Sequence, residues 1–334
     1  MRRVVASAAA GAVLMVSVLM AQIPTPTIVK KSPALDALLA ADAKFEKLGE
    51  GFEWTEGPVW DTKGGYLLFS DIPNNVINKW EAGKGVSQFI KPSGYSGSEP
   101  FTGREPGSNG LTFDARGRLV ACQHGDRRVA RWDNGTWTAL ADTFEGKRFN
   151  SPNDLVFHSS GALYFTDPPY GLPGQWKDPK KELAHQGVYR RADDGTVTLL
   201  TKELNAPNGL AFSPDEKTLY VAQSDPQKPI WMAYPVNADG SIGAGKVFAD
   251  ASAEFTAKQP GLPDGLKVDT KGHLWATGPG GVWIIAPDGT HLGTISTGVP
   301  TANVAWGDDG SMLYMCADTY ICRIKTKTKG SRWK

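Results

Sequence analysis

Apolar and polar residues alternate with a period of two along most of this chain, in runs of only four to seven residues. Stretches such as TLYVAQ (Thr218–Gln223) carry large apolar side chains and stop at clusters of Asp, Gly, Asn or Lys. Short runs of this period are half-buried β-strands, and turn residues between two of them join the strands into hairpins. GVYRRADDGTVTLL and GVWIIAPDGTHLGTI each place Asp-Gly between two such runs, the strongest short-range hairpin signal. The pattern predicts an all-β protein.

The hairpins repeat. Segments starting at Glu56, Asn109, Asn153, Asn208, Asp264 and Asn303 share one grammar: an acidic or amide residue first, usually with Gly next, apolar residues two and four positions on, a polar turn, then an apolar strand. The intervals between these six anchors are 53, 44, 55, 56 and 39 residues, each with room for about four short strands. Four-stranded sheets repeated radially make a β-propeller, here a six-bladed one. After Asn303 only three strands remain, NVAWGD, SMLYMCAD and YICRIKT, whereas AKFEKLGEGF before the first anchor is a strand without a blade. The N-terminal strand is therefore expected to close the last blade and remove the open edges. The propeller is placed at residues 44–327, with an N-terminal extension at 22–43 and a basic tail at 328–334.

Residues 1–21 read differently. Two arginines, an uncharged apolar run from Val4 to Ala21 and then QIPTPT have the layout of a secretory signal, cleaved after Ala21. Left uncleaved, the run is long enough to anchor a single span. The expectation is an exported bacterial protein, periplasmic or secreted, with no stable membrane partner after cleavage.

Charge narrows the partner. Lys plus Arg number 36 against 35 for Asp plus Glu, so no net field draws the chain to nucleic acid, and a small molecule is expected, with a monomer or weak dimer. Three cysteines cannot all pair. Cys316 and Cys322 lie on adjacent strands and are candidates to bridge, and Cys122 reads as a buried thiol. No C-x-x-C is present, and the five histidines are scattered, which disfavours a thiolate zinc site.

If the first strand of each hairpin is innermost, all six anchors ring one mouth of the central channel. The second strands return to that mouth, bringing Asp71, His124, Asp167, Gln223 and Asp318 near it; His124 and Asn109 are candidate substrate contacts there. Carboxylate and amide oxygens are hard donors that suit calcium, magnesium or manganese. Two carboxylates crowded in a channel also repel, which a divalent cation relieves. Each anchor is equally explicable alone as a turn residue; six in one register, Glu56 among them, favour a metal site.

EGPVW, NSPNDLVF followed by LYFTDPPYG, APNGLAFSPD and LPDGLKVD, in this order, resemble the SMP-30/gluconolactonase/LRE family in its bacterial gluconolactonase branch. The resemblance implies a six-bladed propeller holding one divalent cation, commonly calcium, with zinc, magnesium or manganese as other candidates. It carries the metal ligands over to Glu56, Asn208 and Asp264, and Asn153 to the metal or to its water and substrate. An arginine two residues before that asparagine is a substrate contact in some members; Ser151 stands there, so Arg148 is the candidate. The implied reaction is hydrolysis of a sugar lactone such as gluconolactone. The resemblance also gives Asp264 the role of general base, with a pure ligand role as the competing reading. An aryl-ester or organophosphate hydrolase on the same ring and a non-catalytic binding propeller are the alternative functions.

Overall fold

The computed structural model describes residues 25–255 and 259–332. The secretory-signal expectation falls on residues outside this range. Among the described residues no helix is long and apolar enough to cross a membrane.

Six antiparallel sheets follow one another along the chain, each starting from its innermost strand. Those strands are Thr55–Asp61, Ser108–Phe113, Leu155–Phe157, Pro207–Phe212, Leu266–Val268 and Thr301–Gly307. Each touches the next, and the sixth returns to the first, so they form a closed ring around a channel. This is the six-bladed propeller read from the repeats. Phe45–Glu50 pairs with Tyr320–Lys325 and supplies the fourth strand of the last blade, so closure rests on hydrogen bonds between the two ends of the chain.

The extension packs onto the propeller. Thr27–Lys30 pairs with His291–Ser296 as a fifth strand of the fifth blade. A short 3-10 turn follows at Pro33–Ala37, where Ser32 Oγ accepts from Ala34 N at 3.3 Å. The turn carries Leu35, Leu38 and Leu39 into the core between blades five and six.

Six apolar clusters fill the six blade interfaces, one apiece. Strand alternation sorts residues between them: Leu67 and Phe69 face the sixth blade, while Leu68 faces the second. Both faces of every blade are therefore buried, which is why second strands such as LVACQ (Leu119–Gln123) and MLYMCA (Met312–Ala317) read as near-continuous apolar runs rather than strict alternation.

The same alternation decides the cysteines. Cys316 lies opposite Ile321, and Cys322 lies opposite Met315. Their positions are one step out of register, so their side chains leave opposite faces of the sheet, one toward the first blade and one toward the fifth. Adjacency in the sheet thus does not produce a bridge, and all three thiols are free and buried. Protein unfolded in guanidinium without reductant is expected to titrate three thiols per chain with a chromogenic disulfide reagent; a count of one would show that the pair is bridged.

Candidate active site in the central channel

Each anchor is placed by a close approach between neighbouring inner strands. A Cβ at Gly57 would overlap the carbonyl of Asn109, at Gly110 the carbonyl of Asn153, at Gly209 the carbonyl of Asp264, and at Gly265 the side chain of Asn303. Glycine follows the anchor because the next blade's anchor packs on that spot. Hydrogen bonds lock the approach: Gly110 N donates to Asn153 O at 2.8 Å, and Gly265 N to Ala302 O at 2.8 Å. Hydroxyls one position before the end of the second strand do the same, Ser70 to Asn109 O and Thr166 to Asn208 O, each at 2.8 Å.

With the backbone fixed, the side-chain heads meet in the channel. Glu56, Asn109, Asn153, Asn208 and Asp264 line one cavity of about 520 Å³. The Oδ1 atoms of Asn109, Asn153, Asn208 and Asp264 are buried there without any hydrogen-bond partner. Buried oxygens are normally satisfied, so four unpaired acceptors gathered with the Glu56 carboxylate could hold a hard cation. Among the described residues no three His, Cys, Asp or Glu side chains form a metal cluster; the oxygens here are mostly amide.

Orientation of two amides follows from their neighbours. Ser224 gives its hydroxyl hydrogen to Pro263 O, so toward Asn208 it can only accept, and Asn208 Nδ2 donates to it at 2.9 Å. This leaves Asn208 Oδ1 free. Asn303 is spent differently: its Oδ1 accepts from Val304 N at 2.9 Å, which turns Nδ2 to Glu56 Oε2 at 3.0 Å and Asp154 Oδ2 at 3.5 Å. Five anchors therefore line the cavity, and the sixth braces Glu56 behind it.

The electrostatics show a crowd of like charge. Burial pushes the Glu56 carboxyl up to about 7, with Asp154 adding to the rise, against the Gly57 N–H, the Asn303 amide and the Lys267 ammonium. Asp264 is held well above the carboxylate range by burial, then by Glu56, Asp154 and Glu105. One cationic side chain reaches this group, Lys267, whose Nζ lies 3.4 Å from Asn303 Oδ1.

The residues expected at the same mouth divide by task. Asp71 accepts from the backbone N–H groups of Glu53 and Trp54, Asp167 from those of Asn150 and Ser151, and Gln223 from that of Asn205. They brace the chain entering the inner strands. The Asp318 carbonyl accepts from Thr55 N at 2.8 Å. Ser151 donates to Pro168 O at 2.6 Å. Arg148 lies on a two-residue strand, gives Nη2 to Asp126 O at 2.7 Å and does not line the cavity. His124 is buried behind the wall, with Nδ1 3.0 Å from Glu105 Oε2. Glu105, Trp54, Tyr170, Trp176 and Phe255 line the cavity and carry no repeat signal; the loops 91–108 and 171–187, which hold Glu105 and Trp176, stand out in the sequence only as aperiodic insertions at the rim.

A larger cavity, about 930 Å³, opens between the inner strands at the other end and is lined by Pro58, Phe113, Phe212, Trp306 and Arg332 among others. It contains none of the unpaired acceptor oxygens, which lie in the smaller one.

Residues 54–319 match the family described as SMP-30/Gluconolactonase/LRE-like region. A gluconolactonase of Zymomonas mobilis subsp. mobilis is 42% identical over 311 residues, covering 91% of this chain and 87% of that protein. A solved gluconolactonase of Xanthomonas campestris aligns with a TM-score of 0.77 at 32% identity, covering 90% of this chain and 96% of the other. The calcium-binding protein regucalcin of Agrobacterium tumefaciens aligns with a TM-score of 0.68 at 22% identity over 86% and 95% of the two chains, a likeness of fold.

The close approach is testable at one glycine. Gly209→Ala forces a methyl into the Asp264 carbonyl and is expected to cost about 1–3 kcal/mol of stability in denaturant unfolding, as overpacking does; an unchanged midpoint and slope would show that the inner strands have room to spare.

Proposed function

The chain belongs to the SMP-30/gluconolactonase/LRE-like family, and on that premise we propose that it is a lactonase opening a sugar lactone such as gluconolactone to the aldonic acid, with one divalent cation, calcium first, held by Glu56, Asn153, Asn208 and Asp264. The observation that carries the cation is the set of buried, unpartnered oxygens at one end of the channel. When bound, the cation supplies a Lewis acid that polarises the ester carbonyl and makes water more acidic.

The chain's own residues do the rest. Asp264 lines the cavity with an Oδ1 that has no hydrogen-bond partner, so an oxygen of this carboxylate is free to take a proton from water. It accepts the proton of the water that adds to the carbonyl carbon; the ring C–O bond then breaks, and the proton passes to the departing alkoxide oxygen to give the hydroxy acid. Glu56 is kept from this duty, since Oε2 already accepts from Gly57 N at 2.5 Å and from Asn303. Asn109, with a free Oδ1 at the same wall, accepts a substrate hydroxyl. The N-terminal run marks an exported protein whose mature chain starts at Gln22, in the periplasm or outside a bacterial cell, as a monomer or weak dimer; intact mass of the exported protein tests the cleavage point.

The decisive assay is a pH-stat measurement on metal-stripped and calcium-reconstituted protein with gluconolactone, an aryl ester and an organophosphate. Gluconolactone is expected to be the best substrate, and Glu56→Ala to lose both cation and turnover. Asp264→Asn is expected to keep most of the bound ion and lose about 100- to 10,000-fold in kcat, the usual worth of a general base. Turnover unchanged in Asp264→Asn with the ion bound removes the proton-transfer role, and preference for the organophosphate replaces the substrate class.

A further inference from the structure

The cavity holds one carboxylate that neither the cation nor the proton transfer uses. Glu105 lies at the end of the long loop between the first and second blades and lines the cavity with 29% of its side chain exposed. The backbone beside it is pinned on two sides. Gly107 N donates to Ile72 O at 3.0 Å, while Gly107 O and Pro106 O accept from His124 N at 3.1 Å and Gly125 N at 3.2 Å. A Cβ at Gly107 would lie 2.5 Å from the Ile72 carbonyl oxygen, and one at Gly125 2.6 Å from that of Pro106, so this end of the loop has no slack.

The side chain stands against a buried wall: Glu105 Oε2 lies 3.0 Å from Nδ1 of His124 without hydrogen-bond geometry, and His124 is fully buried with neither ring nitrogen hydrogen-bonded. Glu105 is close enough to Asp264 and Tyr170 for its charge to help raise the pKa of both. A carboxylate fixed in this way has already lost the freedom that binding would otherwise have to remove.

The neighbouring walls are aromatic. Trp54, Tyr170, Trp176 and Phe255 line the same cavity, and the Tyr170 and Trp176 rings meet edge-on at 5.4 Å. Aromatic faces accept the C–H side of a saturated ring, and a carboxylate accepts hydrogen bonds from two neighbouring hydroxyls. A lactone without hydroxyls fits the aromatic walls equally well but leaves Glu105 desolvated and unpaired, the arrangement that discriminates most strongly against an analogue lacking the donor.

We infer that Glu105, positioned by the pinned end of its loop, is the group that selects polyhydroxylated lactones over unsubstituted ones in this cavity. The inference rests on the lactonase reading and adds its specificity determinant.

The test compares gluconolactone with δ-valerolactone, the same six-membered ring ester without hydroxyls, on calcium-loaded wild type, Glu105→Ala and Glu105→Gln. The ratio of kcat/KM between the two substrates is expected to fall about 10- to 100-fold in Glu105→Ala, the worth of a charged hydrogen bond, mainly through KM for gluconolactone. Glu105→Gln keeps the shape and one acceptor oxygen and is expected to fall about 3- to 10-fold, so it carries the test if the alanine variant does not fold. A ratio within about twofold of wild type in both variants overturns the inference while the lactonase reading stands. Equal losses on both substrates overturn it too, by placing Glu105 in the hydrolytic machinery. Wild type inactive on both lactones overturns the lactonase reading instead.

Discussion

The contact between each anchor backbone and the glycine of the neighbouring inner strand sets the radius of the channel, and the site depends on that radius. A methyl group at Gly57, Gly110, Gly209 or Gly265 would collide with the next anchor, so the inner strands sit as close as backbones allow. Carbonyls that would otherwise face the channel are consumed by Ser70, Thr166 and the backbone of the next blade. The apolar clusters between blades act from outside on the same ring, because burying both faces of every blade leaves no direction in which the inner strands can relax.

That rigidity gives the polar heads their chemistry. Burial in the channel raises the Glu56 and Asp264 carboxyls, their crowding with Asp154 adds to the rise, and Lys267 with the Asn303 amide offsets part of it at Glu56. A mobile site would relieve the strain by turning side chains toward water. Here Asn208 is held by Ser224 and Asn303 by the Val304 N–H, and the unsatisfied oxygens lie buried; a bound cation would satisfy them and the negative charge together. The same rigidity extends to the rim, where Glu105 is fixed by a loop pinned to two blades.

The ring was legible in the sequence because a fixed chemical grammar recurs in one register, and closure by the N-terminal strand followed from a blade that is one strand short. The finer sorting was not legible. Asn109 and Asn303 look alike in their repeats, yet one keeps a free oxygen and the other spends its amide on Glu56, a difference made by the Val304 N–H and by Asp154. Thr27–Lys30 is a four-residue outer strand, TIVK, with Val29 about half exposed, too short to show an alternation of its own. Cys316 and Cys322 are near in the sheet but on opposite faces, and that parity depends on a register visible only once the strands are paired. Arg148 stands close to Asn153 in sequence and turns away in space to cap Asp126. The rim residues lie in aperiodic loops, where no repeat constrains their direction.

A cation site built by the fold should take up an ion with no substrate present, and anomalous diffraction from crystals of the metal-stripped protein soaked in manganese measures this. One strong peak is expected among Glu56, Asn153, Asn208 and Asp264, lost in crystals of Glu56→Ala. A channel without a peak there, or with its ion at the opposite end beside Phe212 and Trp306, would contradict it.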